Sequence, residues 1–148
     1  MTWRPRQRSE AGTALVEFTW LALLLLLPVV YVLLAVFDAQ RASYGVSAAS
    51  RSAGRAFVLA PDQGTAHQRA VAAARVALAD QGVDLGTVTI TCSPVPEQCL
   101  FPGAVVTVTV EVQQPLPLAP DLLGGSAPTL RVASTHSEPY GTFREARS

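Results

Sequence analysis

The run from Phe18 to Phe37 contains no charged side chain, and no other feature of the chain restricts its fold as severely. About 20 residues of α-helix span about 30 Å, the thickness of a bilayer's hydrocarbon core. Leu21 to Leu27 is leucine except for Ala22, which joins strong helix propensity to strongly favourable transfer into lipid. Pro28 lies inside the run. It removes one backbone hydrogen bond and is expected to kink the helix, a defect that membrane helices tolerate. Trp20 and Tyr31 suit the two interfaces but do not fix the register.

The flanks suggest an orientation. Arg4, Arg6 and Arg8 precede the run and Arg41 follows it, which favours a cytoplasmic N-terminus. Arg51 and Arg55 would level that count, so size and cysteine use decide. The N-terminal tail is short, and the larger C-terminal part carries a cysteine pair suited to an oxidising exterior. The expected location is the cell membrane, crossed once, with the C-terminal domain outside. A secretory signal cut after its core fits less well, because the run exceeds an h-region of about 7–15 residues. The following LAVFDAQRA also lacks a close A-x-A site.

The chain has 148 residues and a formal net charge of zero, which suits one small domain beside the membrane segment. Nothing in that balance attracts nucleic acid. All eleven basic residues are Arg; with the high Ala content, this reads as genome composition.

Glu17 raises a question, because it stands almost at the start of the apolar run, in the stretch GTALVEF. An acidic residue at the bilayer centre costs about 2.5–3.5 kcal/mol, and less nearer the surface. The pattern of a Gly, four residues, Glu and an aromatic, set between a basic leader and an apolar helix, resembles the processing site of type IV pilin-like proteins. The stretch from Glu10 to Phe57 resembles the TadE-like family of the tight-adherence pilus system over its whole length. The remainder of the chain is similar only loosely. The resemblance implies that Gly12 precedes the scissile bond and that Thr13 becomes the new N-terminus. It implies Glu17 as the acidic residue and Phe18 as its aromatic neighbour, both serving assembly. It implies a membrane-embedded aspartic prepilin peptidase as processing enzyme, and other pilin-like subunits with a pilus assembly platform as partners. The leader departs from the pattern in lacking Lys and in carrying Glu10 beside the site.

Physical chemistry offers Glu17 two roles. It could neutralise the ammonium group of a processed Thr13, four residues away, in its own chain or a neighbour's. It could instead sit at headgroup level in the first helical turn, where the macrodipole favours negative charge.

Beyond the run, Asp38 to about Leu59 stays compatible with helix, so the membrane helix is expected to continue outward. Ala35, Ala39, Ser43 and Ser47 recur four apart, a spacing that permits close helix approach. Ala-rich composition produces such a stripe by chance. Pro61-Asp62-Gln63-Gly64 breaks the helix. Thr65 and Gln68 form a capping-box pattern, and a second helix runs to about Asp80, where Gln81-Gly82 ends it. Its stripe of Val71, Ala74 and Leu78, flanked by Ala70 and Ala77, needs a sheet to lie on.

Thr87–Cys92 and Ala104–Val112 alternate as strands, and Thr129–Ser137 does so more weakly. Cys92 and Cys99 flank a Pro-rich loop, and a disulfide there would contribute about 2–3 kcal/mol. Two buried free thiols are the alternative for a cytoplasmic domain. His67 and His136 fall in no ligand pattern, so no metal site or cofactor is expected; both read as surface residues. The connection Gln114–Pro128 holds Leu116, Leu118, Leu122 and Leu123, too many for a solvated loop. They are expected to pack under the sheet, with the membrane or a partner as alternatives. The tail PYGTFREARS is expected to fray.

No nucleophile elbow, phosphate loop or zinc-protease motif is present, so neither an enzyme nor a small-molecule substrate is expected. The organisation expected is a basic cytoplasmic leader (1–12), a long N-terminal helix (13–60, membrane core about 18–37) and an exterior head (61–148). The fold class is α+β: a transmembrane helix continuing outward, then a small antiparallel sheet of three or four strands with one packed helix. The function expected from the resemblance is a membrane-anchored minor pilin, pseudopilin or assembly protein of a tight-adherence pilus. The alternative is a single-pass anchor for an exterior binding module unrelated to pili.

Overall fold

The computed structural model describes residues 11–116 and 128–147. The leader up to Glu10, and Leu118, Leu122 and Leu123 of the connection, lie outside the described residues. The fold is α+β, with the order α1 (Ala11–Val58), α2 (Gln63–Ala79), β1 (Thr87–Ser93), β2 (Val105–Pro115) and β3 (Thr129–Pro139). The strands form one antiparallel sheet of order β1-β2-β3.

α1 is one helix of 48 residues that passes through Pro28. Among the described residues its first half is not buried by any other element: the most apolar 18-residue window has a mean hydropathy of 2.8 and no buried residue. Its second half is the centre of the head. Ala42, Val46, Ala49, Ala53 and Phe57 are buried, spaced 4, 3, 4 and 4 apart along one face. The head's core therefore begins inside the 13–60 segment, ahead of residue 61. The small-residue stripe also differs from the expected one. Ser43 is exposed, and Ala35, Ala39 and Ser47 are only half-buried. In so Ala-rich a segment several faces present small side chains, and the tertiary partners select one of them.

α2 packs chiefly against α1 and meets the sheet mainly at β1, while the second half of α1 covers β2 and β3. This corrects the expectation that α2 lies across the sheet. Ala66, Ala70, Ala74 and Leu78 form the buried face of α2, so Val71 sits at its edge. Gly45 and Gly54 of α1 are buried among these partners. A methyl group at Gly54 would stand 3.4 Å from Glu138 Cβ and 3.5 Å from His136 Cδ2, so the helix rides close to β3 there.

The N-terminus of α2 is capped one turn earlier than expected. Asp62 is extended, and its carboxylate accepts from the Thr65 amide at 2.8 Å and from the Thr65 hydroxyl at 3.0 Å. Those hydrogen bonds to Thr65, backbone first, hold the Asp62 carboxyl below its ordinary value of about 3.8. At the other end, the Val83 amide donates to Leu78 O and the Gly82 amide to Ala79 O. Gly82 has a φ of 64°, the left-handed closure expected from Gln81-Gly82.

In the sheet, Val106, Val108, Val110 and Val112 point at the helices and are buried. The opposite face is hydroxylated: Thr107 pairs with Ser137 and Thr109 with Thr135, each at 2.9 Å. Gly86 leads into β1 where a Cβ would fall 2.0 Å from Glu111 O, so no other residue fits that approach.

Candidate functional site

The candidate site is the start of α1. Gly12 and Thr13 lie within the helix, which is already formed at Ala11. Glu17 is therefore beyond the first turn of the intact chain, and the macrodipole reading of its position fails there. Its side chain is exposed and makes no ion pair among the described residues. Phe18 is also exposed, at 70%. Thr13 and Glu17 are four residues apart on one helix, so both positions fall on the same face one turn apart. Two residues on, the Thr19 hydroxyl donates to Leu15 O at 2.7 Å. That bond satisfies a polar group locally within an otherwise apolar surface.

From Leu15 to Phe37 the helix exposes its large apolar side chains on all sides, Leu21 and Leu23–Leu27 among them. A helix apolar all round and packed on nothing needs an apolar medium or partner helices. Asp38 and Arg41 end this surface. Their side chains approach to 3.6 Å, and Arg41 Nη2 also donates to Gln81 O at 2.8 Å. The junction between bare and packed halves is thus pinned to the end of α2.

At the opposite end of the head, Cys92 and Cys99 are joined as a disulfide, with Cα atoms 5.3 Å apart. Leu100, next to the closed loop, is buried, and the Gln63 side-chain amide donates to Glu97 O at 2.8 Å. The C-terminal segment does not fray. Tyr140 is buried, its hydroxyl donates to Glu145 O at 2.6 Å, and the Arg144 guanidinium lies over its ring. Arg144 donates to Val58 O at 2.9 Å and Arg147 to Ala60 O at 2.7 Å. Two guanidinium groups therefore satisfy carbonyls that the end of α1 leaves open, where the helix dipole also favours cations. Sequence reasoning missed this clamp. Its one local signal is the pair of arginines three apart behind a tyrosine.

His136 is not a free surface group. Its Nε2 lies 3.0 Å from Glu138 Oε2 on the helix-facing side of β3. Beside it, the buried Ser50 hydroxyl donates to Ser47 O at 3.2 Å, and its Oγ lies 3.4 Å from Ser134 Oγ. His67 is exposed on α2. Among the described residues no three His, Cys, Asp or Glu side chains come together as a metal site. An open groove of about 410 Å³ runs between the disulfide loop and the C-terminal segment, lined by Gln63, Gln98, Phe101 and Arg147. No paired nucleophile and base lines it.

No protein-family model, no curated protein and no solved structure matches the chain. The class defined by fold and surface is a small α+β head on a helix long and apolar enough to cross a membrane.

Proposed function

We propose that the chain is a single-pass membrane subunit of a tight-adherence-type pilus: a TadE-like minor pilin, pseudopilin or assembly protein. It acts by packing its helix against those of other subunits and performs no turnover. The N-terminus is cytoplasmic and the head exterior. The observation that carries this reading is α1 itself, bare from Leu15 to Phe37 and central to the head from Ala42 to Phe57. A helix that serves only as an anchor needs apolar length but no carboxylate near its start. Glu17 has a task if a neighbouring or processed N-terminus supplies the ammonium group that neutralises it.

Mass spectrometry of the protein extracted from membranes tests processing: the reading expects a chain that begins at Thr13. A start at Met1 or Thr2 favours the anchored-module alternative. A Glu17→Ala variant that inserts normally is expected to lose piliation, and unchanged piliation would remove the assembly role assigned to Glu17.

A further inference from the structure

The depth of the head can be read from how α1 and β3 run beside each other. Ser50 lies beside Ser134, and four residues further Gly54 lies against His136 and Glu138, so the two elements run in the same sense. From Ser134 back to Thr129, the first residue of β3, is five residues. That is about 17 Å of strand. The same length of helix is about 11 residues, which leads from Ser50 back to Ala39. Pro115 pairs with Thr129, and the Leu116 amide donates to Pro128 O at 3.0 Å. This end of the β2–β3 pair is therefore level with the place where the charge-free run gives way to Asp38.

The side chains at that level suit an interface between lipid and water. Leu130 is 41% exposed although it ends a core-forming sheet. The Arg131 side chain is 73% exposed, beside Glu111. Tyr44 is 72% exposed on α1. It stands about 9 Å beyond Asp38, and its ring leans back toward the helix N-terminus as helical side chains do. An amphipathic ring, an aliphatic side chain and a guanidinium at one height match a headgroup layer about 5–7 Å thick. The chain between Leu116 and Pro128 leaves the described residues at this rim and returns to it.

We propose that the rim of Tyr44, Leu116, Leu130 and Arg131 rests in the phospholipid headgroup layer, so that the head lies on the bilayer and does not stand off it. The inference rests on the membrane-spanning reading of Phe18–Phe37 and requires nothing of pili. Its consequence is that withdrawal of the helix from the membrane also requires detachment of the rim.

The test uses the full chain in phosphatidylcholine–phosphatidylglycerol nanodiscs that contain a lipid with a nitroxide near its headgroup. An environment-sensitive fluorophore is attached to single cysteines introduced as Phe37→Cys, Tyr44→Cys, Leu130→Cys or Phe143→Cys, with the native disulfide intact. Quenching at Leu130 and Tyr44 that approaches quenching at Phe37, with none at Phe143, is the expected result. Quenching at Phe37 alone overturns the proposal and leaves the membrane helix standing. A probe at Leu130 that is shielded from water yet unquenched means that protein covers the rim, which also overturns it. Absence of quenching at Phe37 overturns the spanning reading and this proposal with it.

Discussion

The two halves of α1 are one helix read by two environments. From Phe18 to Phe37 the side chains are mostly large and apolar on every side, and all but a few are exposed. From Ala42 to Phe57 one face is mostly alanine and is fully buried, while Arg41, Arg51 and Arg55 stand in water. The first half needs bulk because its stabilisation comes from transfer of apolar surface into lipid. The second half needs smallness because α2 and β3 approach it closely, and bulk there would be strain. Apolar content alone therefore describes the first half well. Only the position of each small residue describes the second.

Charge placed in the bare half should have the largest effect. A Leu24→Arg, Leu25→Arg double variant raises the cost of insertion by about 6 kcal/mol or more. The expected outcome is loss from the membrane fraction, and unchanged membrane retention would break the contrast. Next in size is Leu78→Ala. Leu78 is fully buried against α1, and its truncation should cost about 2–5 kcal/mol of head stability. Thermal unfolding in detergent reads this directly, and Leu24→Ala in the bare half should leave the same transition unmoved.

Replacement of Cys92 and Cys99 by serine comes third. It reopens a seven-residue separation and should lower head stability by about 2–3 kcal/mol, an effect that reductant reproduces in the parent protein. The clamp is weaker. Arg144→Ala or Arg147→Ala each removes a half-exposed charge-assisted bond to the end of α1, for about 1 kcal/mol. Chemical denaturation would detect it, and an Arg→Lys exchange should recover only part of the loss.

The smallest effect concerns pH. The Asp62 carboxyl titrates lower in the folded chain than in the unfolded one. Its contribution is therefore present above its unfolded value of about 3.8 and lost as pH falls through its lower folded value. Amide exchange at Thr65 should rise across that acidic window. In Asp62→Asn, which caps without titrating, the rise should vanish.

Much of the fold can be read from the residues. Val106 to Val112 alternate with Thr107 to Glu111, and the core face follows from that alternation alone. Gln81-Gly82 marks the end of α2, because a left-handed closure favours glycine. The start of α2 is harder to read, because Asp62 and Thr65 are both good caps, three residues apart. The extended backbone at Asp62 decides between them. The buried stripe of α1 is hidden by composition, since Ala, Ser and Gly occur on every face of that segment. The order of the tail is illegible for a different reason. Its bonds join residues more than 80 positions apart, from guanidinium to backbone carbonyl, and backbone acceptors carry no sequence signature. The start of α1 is legible as a pattern, but its chemistry depends on whether Thr13 becomes a terminus.

Membrane fractionation decides whether one rod serves as lipid-embedded span in its first half and as core of the head in its second. After salt and alkaline carbonate washes, the full chain should remain in the membrane pellet and be released by detergent alone. Recovery as a dissolved monomer, with Leu21–Leu27 protected from solvent inside its own fold, would contradict it.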